Sequence, residues 1–229
     1  RTYAYYVVGP GENVNYQEFL NDWSSVEYND SLWQNAAEGP QGMPLKAHHQ
    51  YGDISSRILV PRTIPMMEET DQRFALIRRT SGVNVSDAFI QGNSPVTIPP
   101  NTQATILLDQ AMLTNAYPIL SFSGGNFASI KITYAESLYD EQNRKGNRDV
   151  IEGKDIFGAE DEIMADGQKH TFESLWWRTF RYVQLEIETK SKALTITDFK
   201  SRFTGYPFEE RASFRSSDPM TDQIWEVAW

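Results

Sequence analysis

Carboxylates are the side chains in this sequence best suited to catalysis, because a pair of them can act as general acid and general base. Adjacent carboxylates occur in four acidic runs: Glu68-Glu69, Asp140-Glu141, Glu160-Asp161-Glu162 and Glu209-Glu210. Each run lies among polar, turn-forming residues, so nothing in the sequence predicts the burial that would raise a carboxyl pKa. We therefore interpret all four runs as solvated surface charge and assign no catalytic residue.

Metal and nucleophile chemistry finds little support in the sequence. The chain contains no cysteine, which excludes disulfides, thiolate catalysis and zinc–thiolate sites. Of the three histidines, His48 and His49 are adjacent and cannot easily present both rings to one metal, and His170 is distant from them. The run at residues 160–162 lacks the spaced aspartates of a calcium loop. The sequence predicts no metal site and no cofactor.

Two adjacent tryptophans followed by an arginine form the candidate binding feature. Neighbouring residues on a strand face opposite sides, so packing one of Trp176 and Trp177 in the core would place the other outside. An exposed tryptophan beside Arg178 could stack on a sugar ring or seal a domain interface, and the interface is favoured. Trp23 and Trp33 are predicted to be core residues.

The strands that would position these residues are clearest where apolar residues alternate. Val183, Leu185 and Ile187 share one face of a predicted strand that begins at Arg181, which places that arginine on the apolar face. A second alternation runs through Ser129-Ile-Lys-Ile-Thr-Tyr-Ala-Glu136 and ends on Glu136. Because a charge facing a core needs a partner, we hypothesise an ion pair between Glu136 and Arg181; the alternative is that both charges are solvated.

The composition is that of a globular protein and excludes several classes. The 229 residues are 40% hydrophobic, enough to bury a sizeable core. The net charge of −10 argues against binding nucleic acid, whose phosphates would be repelled. No apolar run approaches the roughly 20 residues that a membrane-spanning helix needs. The sequence therefore predicts neither a nucleic-acid partner nor a membrane partner.

Short apolar runs separated by turns, without alternating helices, predict a mainly β protein with an antiparallel β-sandwich of the jelly-roll or concanavalin-like kind. The predicted strands are residues 3–8, 57–60, 74–79, 95–101, 105–108, 117–122, 129–136, 181–187, 193–197 and 200–204. Residues 139–170 are predicted to form a long loop with a short hairpin near Ile156-Phe157 and Ile163-Met164.

The final segment has the signature of a helix. Ser217-Asp218-Pro219 supplies a capping aspartate followed by proline at the first helical position. Met220, Ile224 and Val227 then follow helical spacing, and a short amphipathic helix needs a surface to pack against. We therefore expect the apolar face of this helix to pack on a part of a longer protein outside these 229 residues.

Several motifs together resemble the bacterial α-L-rhamnosidases of glycoside hydrolase family 78. They are Ile106-Leu-Leu-Asp-Gln110, Tyr117-Pro118, Ser123-Gly-Gly125, Ile132-Thr-Tyr-Ala-Glu136 and Phe180-Arg-Tyr-Val183, flanked by Asn29-Asp-Ser-Leu-Trp33, Leu59-Val-Pro-Arg-Thr-Ile-Pro65 and Ser217-Asp-Pro219. The resemblance spans most of the chain. It implies accessory β-sandwiches that precede an (α/α)6 catalytic barrel, whose acidic residues cleave terminal α-L-rhamnose with inversion. The resemblance places the end of a first sandwich at residues 1–65, a second sandwich with the long loop 139–170 at residues 66–206, and the linker and first helix of the barrel at residues 207–229.

The resemblance also sets the competing functional readings. The first is a non-catalytic accessory region whose partners are the catalytic barrel of the same chain and a rhamnose-containing glycan. The second is a carbohydrate-binding module that acts through exposed tryptophans and the loop at 139–170, with Trp176, Trp177 and Arg178 as the candidate sugar contacts. The third is an independent enzyme that uses an acidic pair. The family resemblance favours a periplasmic or extracellular location.

Overall fold

The computed structural model describes residues 9–38 and 62–228, which form one curled ten-stranded sheet and two helices. The strands are β1 (Asn13–Asn15), β2 (Glu68–Gln72), β3 (Leu76–Ser81), β4 (Val96–Ile98), β5 (Gln103–Gly124), β6 (Ser129–Ala135), β7 (Ala159–Met164), β8 (Gly167–Glu173), β9 (Arg178–Glu188) and β10 (Leu194–Gly205). The helices are α1 (Asp87–Ile90) and α2 (Pro219–Ala228). Within the described ranges, neither helix is long and apolar enough to cross a membrane.

One long strand, β5, joins the two halves of the sheet. Its first half, residues 103–109, pairs with β3 and β9, and its second half, residues 116–124, pairs with β8 and β10. The register between β5 and β9 shifts between Asp109 and Thr114, and Ala111 there has a φ of 69°. An irregularity of this kind bends a strand, so β5 carries the chain from one layer to the other, as in a β-sandwich.

The hydrophobic core lies between the two layers. Ile106 and Leu108 from the first half of β5 belong to the same buried cluster as Leu120 and Phe122 from its second half. Ile130 and Ile132 of β6, Val183, Leu185 and Ile187 of β9, and Ile196 and Phe199 of β10 complete its centre. The mainly β fold class predicted from the sequence is confirmed, with β1 and β7 as a parallel pair in an otherwise antiparallel sheet.

Several predicted elements differ in their extent. The strands predicted at 105–108 and 117–122 are one strand, and so are those at 193–197 and 200–204. No hairpin forms between residues 156–157 and 163–164, because β7 pairs with β6 and β1 instead. Residues 139–157 are held by a bridge between Tyr139 and Asp155. The strands predicted at 3–8 and 57–60 lie outside the described residues.

The C-terminal helix forms where the sequence predicts it. The Asp218 carboxylate accepts a hydrogen bond from the backbone N–H of Met220 at 2.9 Å, which caps the first turn of α2. Met220, Ile224 and Val227 are exposed, and no residue of α2 is buried. The division of the chain into three regions stays a prediction.

Candidate functional site

A cleft of about 790 Å³ runs along β8. One wall is the chain around β1, which contributes side chains between Glu12 and Ser24. The other wall consists of residues 170–175, together with side chains from β2, β5 and β10. Among the described strands β8 pairs only with β5, so this cleft lies beside an open sheet edge.

Aromatic rings supply the apolar part of this cleft. Tyr16 stacks on His170 with ring centroids 4.0 Å apart and packs against Phe19 at 5.0 Å. Burial raises the pKa of the Tyr16 hydroxyl to about 12, so the ring stays neutral at physiological pH. Trp23 and Tyr117 also line the cleft. The arrangement gives a ligand flat apolar surfaces within a polar rim.

The prediction that Trp23 and Trp33 lie in the core is wrong, because each side chain is 49% exposed. Both lie in a stretch of consecutive turns at residues 16–33, outside the two packed layers. Trp23 lines the cleft, and both rings line a shallower depression next to it. Their aromatic surface is therefore available to a ligand or to another protein surface.

The charged groups that line the cleft are mostly acidic. Its carboxylates are those of Glu12, Asp22, Glu69 and Glu173, and its guanidinium is that of Arg202. Arg202 is already engaged, because its nitrogens lie 3.0 Å from Glu173 Oε1 and 3.4 Å from Glu69 Oε2. A ligand therefore meets an excess of hydrogen-bond acceptors and of negative charge.

A buried ion pair lies behind the Glu12 wall. The Arg178 guanidinium is 1% exposed and donates to both oxygens of Asp161, whose side chain is 0% exposed. Glu12 approaches this pair, with Oε1 3.5 Å from Arg178 Nη2, and accepts the backbone N–H of Leu175 at 2.6 Å. Burial raises the pKa of the Glu12 carboxyl, and the negative charge of Asp161 adds to that shift.

This geometry corrects two sequence interpretations. The sequence predicts Asp161 to be solvated surface charge, but it lies on β7 rather than in a turn, and its buried carboxylate binds Arg178. Arg178 is a candidate sugar contact in the sequence, but its side chain is almost fully buried and its guanidinium binds Asp161. Burial lowers the pKa of Arg178, but the hydrogen bond to Asp161 together with the negative charges of Asp161 and Glu12 and the Tyr134 hydroxyl raises it overall.

The two adjacent tryptophans stack on each other rather than facing opposite sides. Their ring centroids are 4.4 Å apart, and Trp176 is 43% exposed. They precede β9, so the alternation of side chains along a strand does not apply to them. Trp176 and the exposed Leu175 present an apolar surface at one end of the cleft, which Leu175 also lines.

The hypothesised partners Glu136 and Arg181 are each bound to another residue. Arg181 donates to the buried Asp109 at 2.9 Å and pairs with Asp149 at 2.7 Å, whereas Lys145 lies 4.0 Å from Glu136. The register shift beside Arg181 lets Phe180 join the core, so the apolar alternation does not continue to Arg181. No ion pair of the described residues joins Glu136 to Arg181.

The remaining candidates contribute little chemistry. His170 donates or accepts at 2.8 Å from Asp166, and His48 and His49 lie outside the described residues. In residues 9–38 and 62–228, no group of histidines and carboxylates is arranged to hold a metal ion. Asp140 is bound by Arg144, and Glu160 lies 3.5 Å from Lys131.

The sequence reading missed Glu12, Tyr16, Glu173 and Arg202, which lie far apart in the chain and meet only in the fold. One local signal was available. Tyr16, Phe19 and Trp23 recur among turn-forming asparagines and aspartates, and apolar rings in such a segment are typical of a surface that binds something.

Comparison with known proteins reveals similarity at the level of the fold. No family model matches the sequence, and no curated protein matches it. A rhamnosidase from Klebsiella oxytoca with rhamnose bound superposes with a TM-score of 0.51 and 14% identity, over 72% of this chain and 34% of that one. A glycoside hydrolase family 78 rhamnosidase of Bacillus sp. GL1 gives a TM-score of 0.48 and 17% identity, over 63% and 15%.

A fucose-binding module of Streptococcus pneumoniae is more distant, with a TM-score of 0.32 and 10% identity over 62% of this chain and 95% of the module. The chain thus spans about a third or less of the two rhamnosidase chains. The fold of this protein resembles that of a part of the Klebsiella enzyme.

Proposed function

We propose that this chain is a carbohydrate-recognising accessory β-sandwich of a glycoside hydrolase, and that its cleft along β8 holds a sugar. The supporting observation is the cleft itself, which combines the rings of Tyr16, Phe19 and Trp23 with an acidic, hydrogen-bonding rim. Sugars present apolar C–H faces and rings of hydroxyl groups, and a ligand site of this composition matches both.

The parent activity that we propose is the removal of terminal α-L-rhamnose by inverting hydrolysis. It rests on the motif resemblance described above and on the fold shared with a rhamnosidase that was solved with rhamnose bound. Inversion needs two carboxylates about 6.5–9.5 Å apart, and we place that pair in a catalytic barrel rather than in this chain.

The accessory role has its own support in the C-terminal helix. Met220, Ile224 and Val227 leave one face of α2 exposed and apolar, which is unfavourable in water. We propose that residues 207–229 form the junction to an (α/α)6 catalytic domain, which would cover this face. The sandwich of residues 66–206 would then brace that domain.

A second candidate function is a free-standing carbohydrate-binding module that acts through the stacked tryptophans. Trp176 is exposed and rests on Trp177, so a sugar ring could lie on its outer surface. In this reading the cleft beside β8 is not the binding site.

Titration calorimetry of the 229-residue chain with L-rhamnose and a rhamnosyl disaccharide tests these proposals. We expect saturable binding that Trp23→Ala weakens at least about tenfold, which corresponds to about 1.4 kcal/mol. Trp176→Ala is the matched control and should leave the affinity unchanged. The reverse result, with Trp176→Ala abolishing binding, would favour the module reading.

Absence of any measurable heat with wild-type protein would contradict sugar binding by the cleft. Release of rhamnose from an aryl rhamnoside by this chain alone would instead contradict the non-catalytic role. Both measurements use the same purified protein, so one preparation decides between the three readings.

A further inference from the structure

Glu12 differs from the other carboxylates of the cleft in how firmly it is held. Its backbone N–H donates to Asp161 Oδ1 at 2.8 Å, and its carbonyl accepts from the backbone of Glu162 at 2.7 Å. Its side-chain Oε1 accepts the N–H of Leu175 at 2.6 Å. No hydrogen bond of the described residues uses Oε2, so an oriented acceptor remains available on the wall of the cleft.

The charge of Glu12 is not needed to neutralise the buried pair behind it. Asp161 already binds Arg178 through both carboxylate oxygens, so one positive charge and one negative charge are balanced there. Glu12 adds a second negative charge, and its side chain is only 18% exposed. A half-buried carboxylate without a full partner costs stability, and such groups are concentrated at functional sites.

The other carboxylates are arranged differently. Glu173 and Glu69 share Arg202 on the opposite wall, so their oxygens are partly occupied. Asp22 lies in an exposed turn. Glu12 is therefore the acidic group of the cleft that is both fixed in position and open to a ligand.

We infer that Glu12 is the specificity-determining contact of the cleft, where Oε2 accepts hydroxyl hydrogens from an uncharged sugar while the acidic walls exclude acidic sugars. This inference rests on the proposed sugar-binding function and narrows it. Four carboxylates against one guanidinium leave an excess of three negative charges when His170 is neutral. A uronate entering that field would be repelled, and its carboxylate would face acceptors rather than donors.

The test compares two disaccharides that differ in one group, rhamnosyl-glucose and rhamnosyl-glucuronate, by titration calorimetry at low and high salt. We expect the neutral disaccharide to bind at least about tenfold more tightly at low salt. The difference should narrow as salt is added, because screening weakens the repulsion. Equal affinity for the two disaccharides would overturn the inference.

The variant Glu12→Gln keeps the shape of the side chain and an oxygen for the Leu175 N–H. We expect it to bind the neutral disaccharide at least about tenfold more weakly and to discriminate less against the acidic one. Glu141→Gln makes the same change of charge at an exposed position outside the cleft and should behave as wild type. Circular dichroism of each variant would establish that the fold is intact.

The outcomes separate this inference from the proposed function. If wild-type protein binds the neutral disaccharide and Glu12→Gln binds it equally well, sugar binding stands and the role of Glu12 is wrong. If wild-type protein binds neither disaccharide, the proposed function fails and this inference fails with it. If Glu141→Gln weakens binding as much as Glu12→Gln, overall charge rather than Glu12 determines the affinity, which also overturns the inference.

Discussion

Two arginines on β9, three residues apart, each bind an aspartate whose side chain is completely buried, but the two pairs lie in different settings. Arg178 binds Asp161 behind the cleft, and Glu12 is a third group that adds a second, surplus negative charge. Arg181 binds Asp109, which also receives Arg78 at 3.0 Å, so one carboxylate serves two guanidiniums.

The surroundings of the Arg181 pair explain its role. Arg181 also contacts Asp149, Arg78 donates to the backbone carbonyl of Asp149, and the Tyr182 hydroxyl donates to the carbonyl of Arg148 at 2.5 Å. These contacts attach the segment 139–157 to the outer side of the sheet. A hydrogen bond to Asp109 raises the pKa of Arg181, so its charge is fixed.

The comparison separates a structural use of buried charge from a functional one. In the Arg181 pair the charges are compensated and their hydrogen bonds hold a loop. In the Arg178 pair the added Glu12 brings a second negative charge, and Glu12 lines a cleft. An unbalanced charge beside a cavity is thus the more informative sign of a site.

The largest effect is expected when the Arg178 pair is broken. Asp161→Asn removes the charge that compensates a guanidinium with almost no access to water, and such losses cost about 3–5 kcal/mol. Urea denaturation should show this decrease in the free energy of unfolding. Glu160→Gln, at the neighbouring and more exposed position, should change it by less than about 0.5 kcal/mol. A small loss for Asp161→Asn would mean that Glu12 alone can hold Arg178.

A smaller effect is expected from the equivalent change in the other pair. Asp109→Asn leaves Arg181 and Arg78 with their contacts to Asp149, so the expected loss is that of a charged hydrogen bond, about 2 kcal/mol. The loop at 139–157 should also be cleaved faster in limited proteolysis. Glu141→Gln, an exposed change within that loop, is the control. Unchanged proteolysis in Asp109→Asn would show that this pair does not anchor the loop.

Some elements of the fold could be predicted from the sequence alone, and others could not. The strands β6 and β9 are predicted by the local alternation of apolar residues, and the start of α2 is predicted by Asp218-Pro219. The local sequence does not predict that two of the expected strands join into β5, because the bend in β5 depends on which strands each of its halves pairs with. Local propensity carries no information about such partners.

The candidate site was less predictable, because its residues meet through strand pairing that the local sequence does not reveal. Arg178 and Asp161 lie on β9 and β7, which are not neighbours but both pair with β6, so their contact depends on the whole sheet order. The register shift beside Arg181 moved that residue away from the face predicted for it. Glu12 is a single acidic residue in a turn-rich segment, and only burial and its neighbours mark it out.

The smallest expected effect comes from removing the charge of Glu12. It distinguishes the two pairs most sharply, because this substitution should raise the free energy of unfolding, whereas the two aspartate substitutions lower it. A raised pKa in the folded state means that Glu12 binds its proton more tightly when folded, so its ionised form destabilises the protein at neutral pH. This destabilisation is relieved as the pH falls through the raised pKa. Glu12→Gln should therefore be as stable as wild type or slightly more stable at pH about 7, and this advantage should shrink toward pH about 4.

Denaturation midpoints of wild type and Glu12→Gln across that pH range provide the measurement. The other charged groups of this region, Asp161, Arg178, Asp22, Glu69 and Glu173, and the ring of His170, are present in both proteins, so their contributions cancel in the difference to first order. If Glu12→Gln is more stable than wild type but binds the neutral disaccharide more weakly, the carboxylate serves binding rather than stability. If Glu12→Gln is instead less stable than wild type at neutral pH, and this loss shrinks at acidic pH, Glu12 is a structural partner of Arg178, as Asp109 is of Arg181.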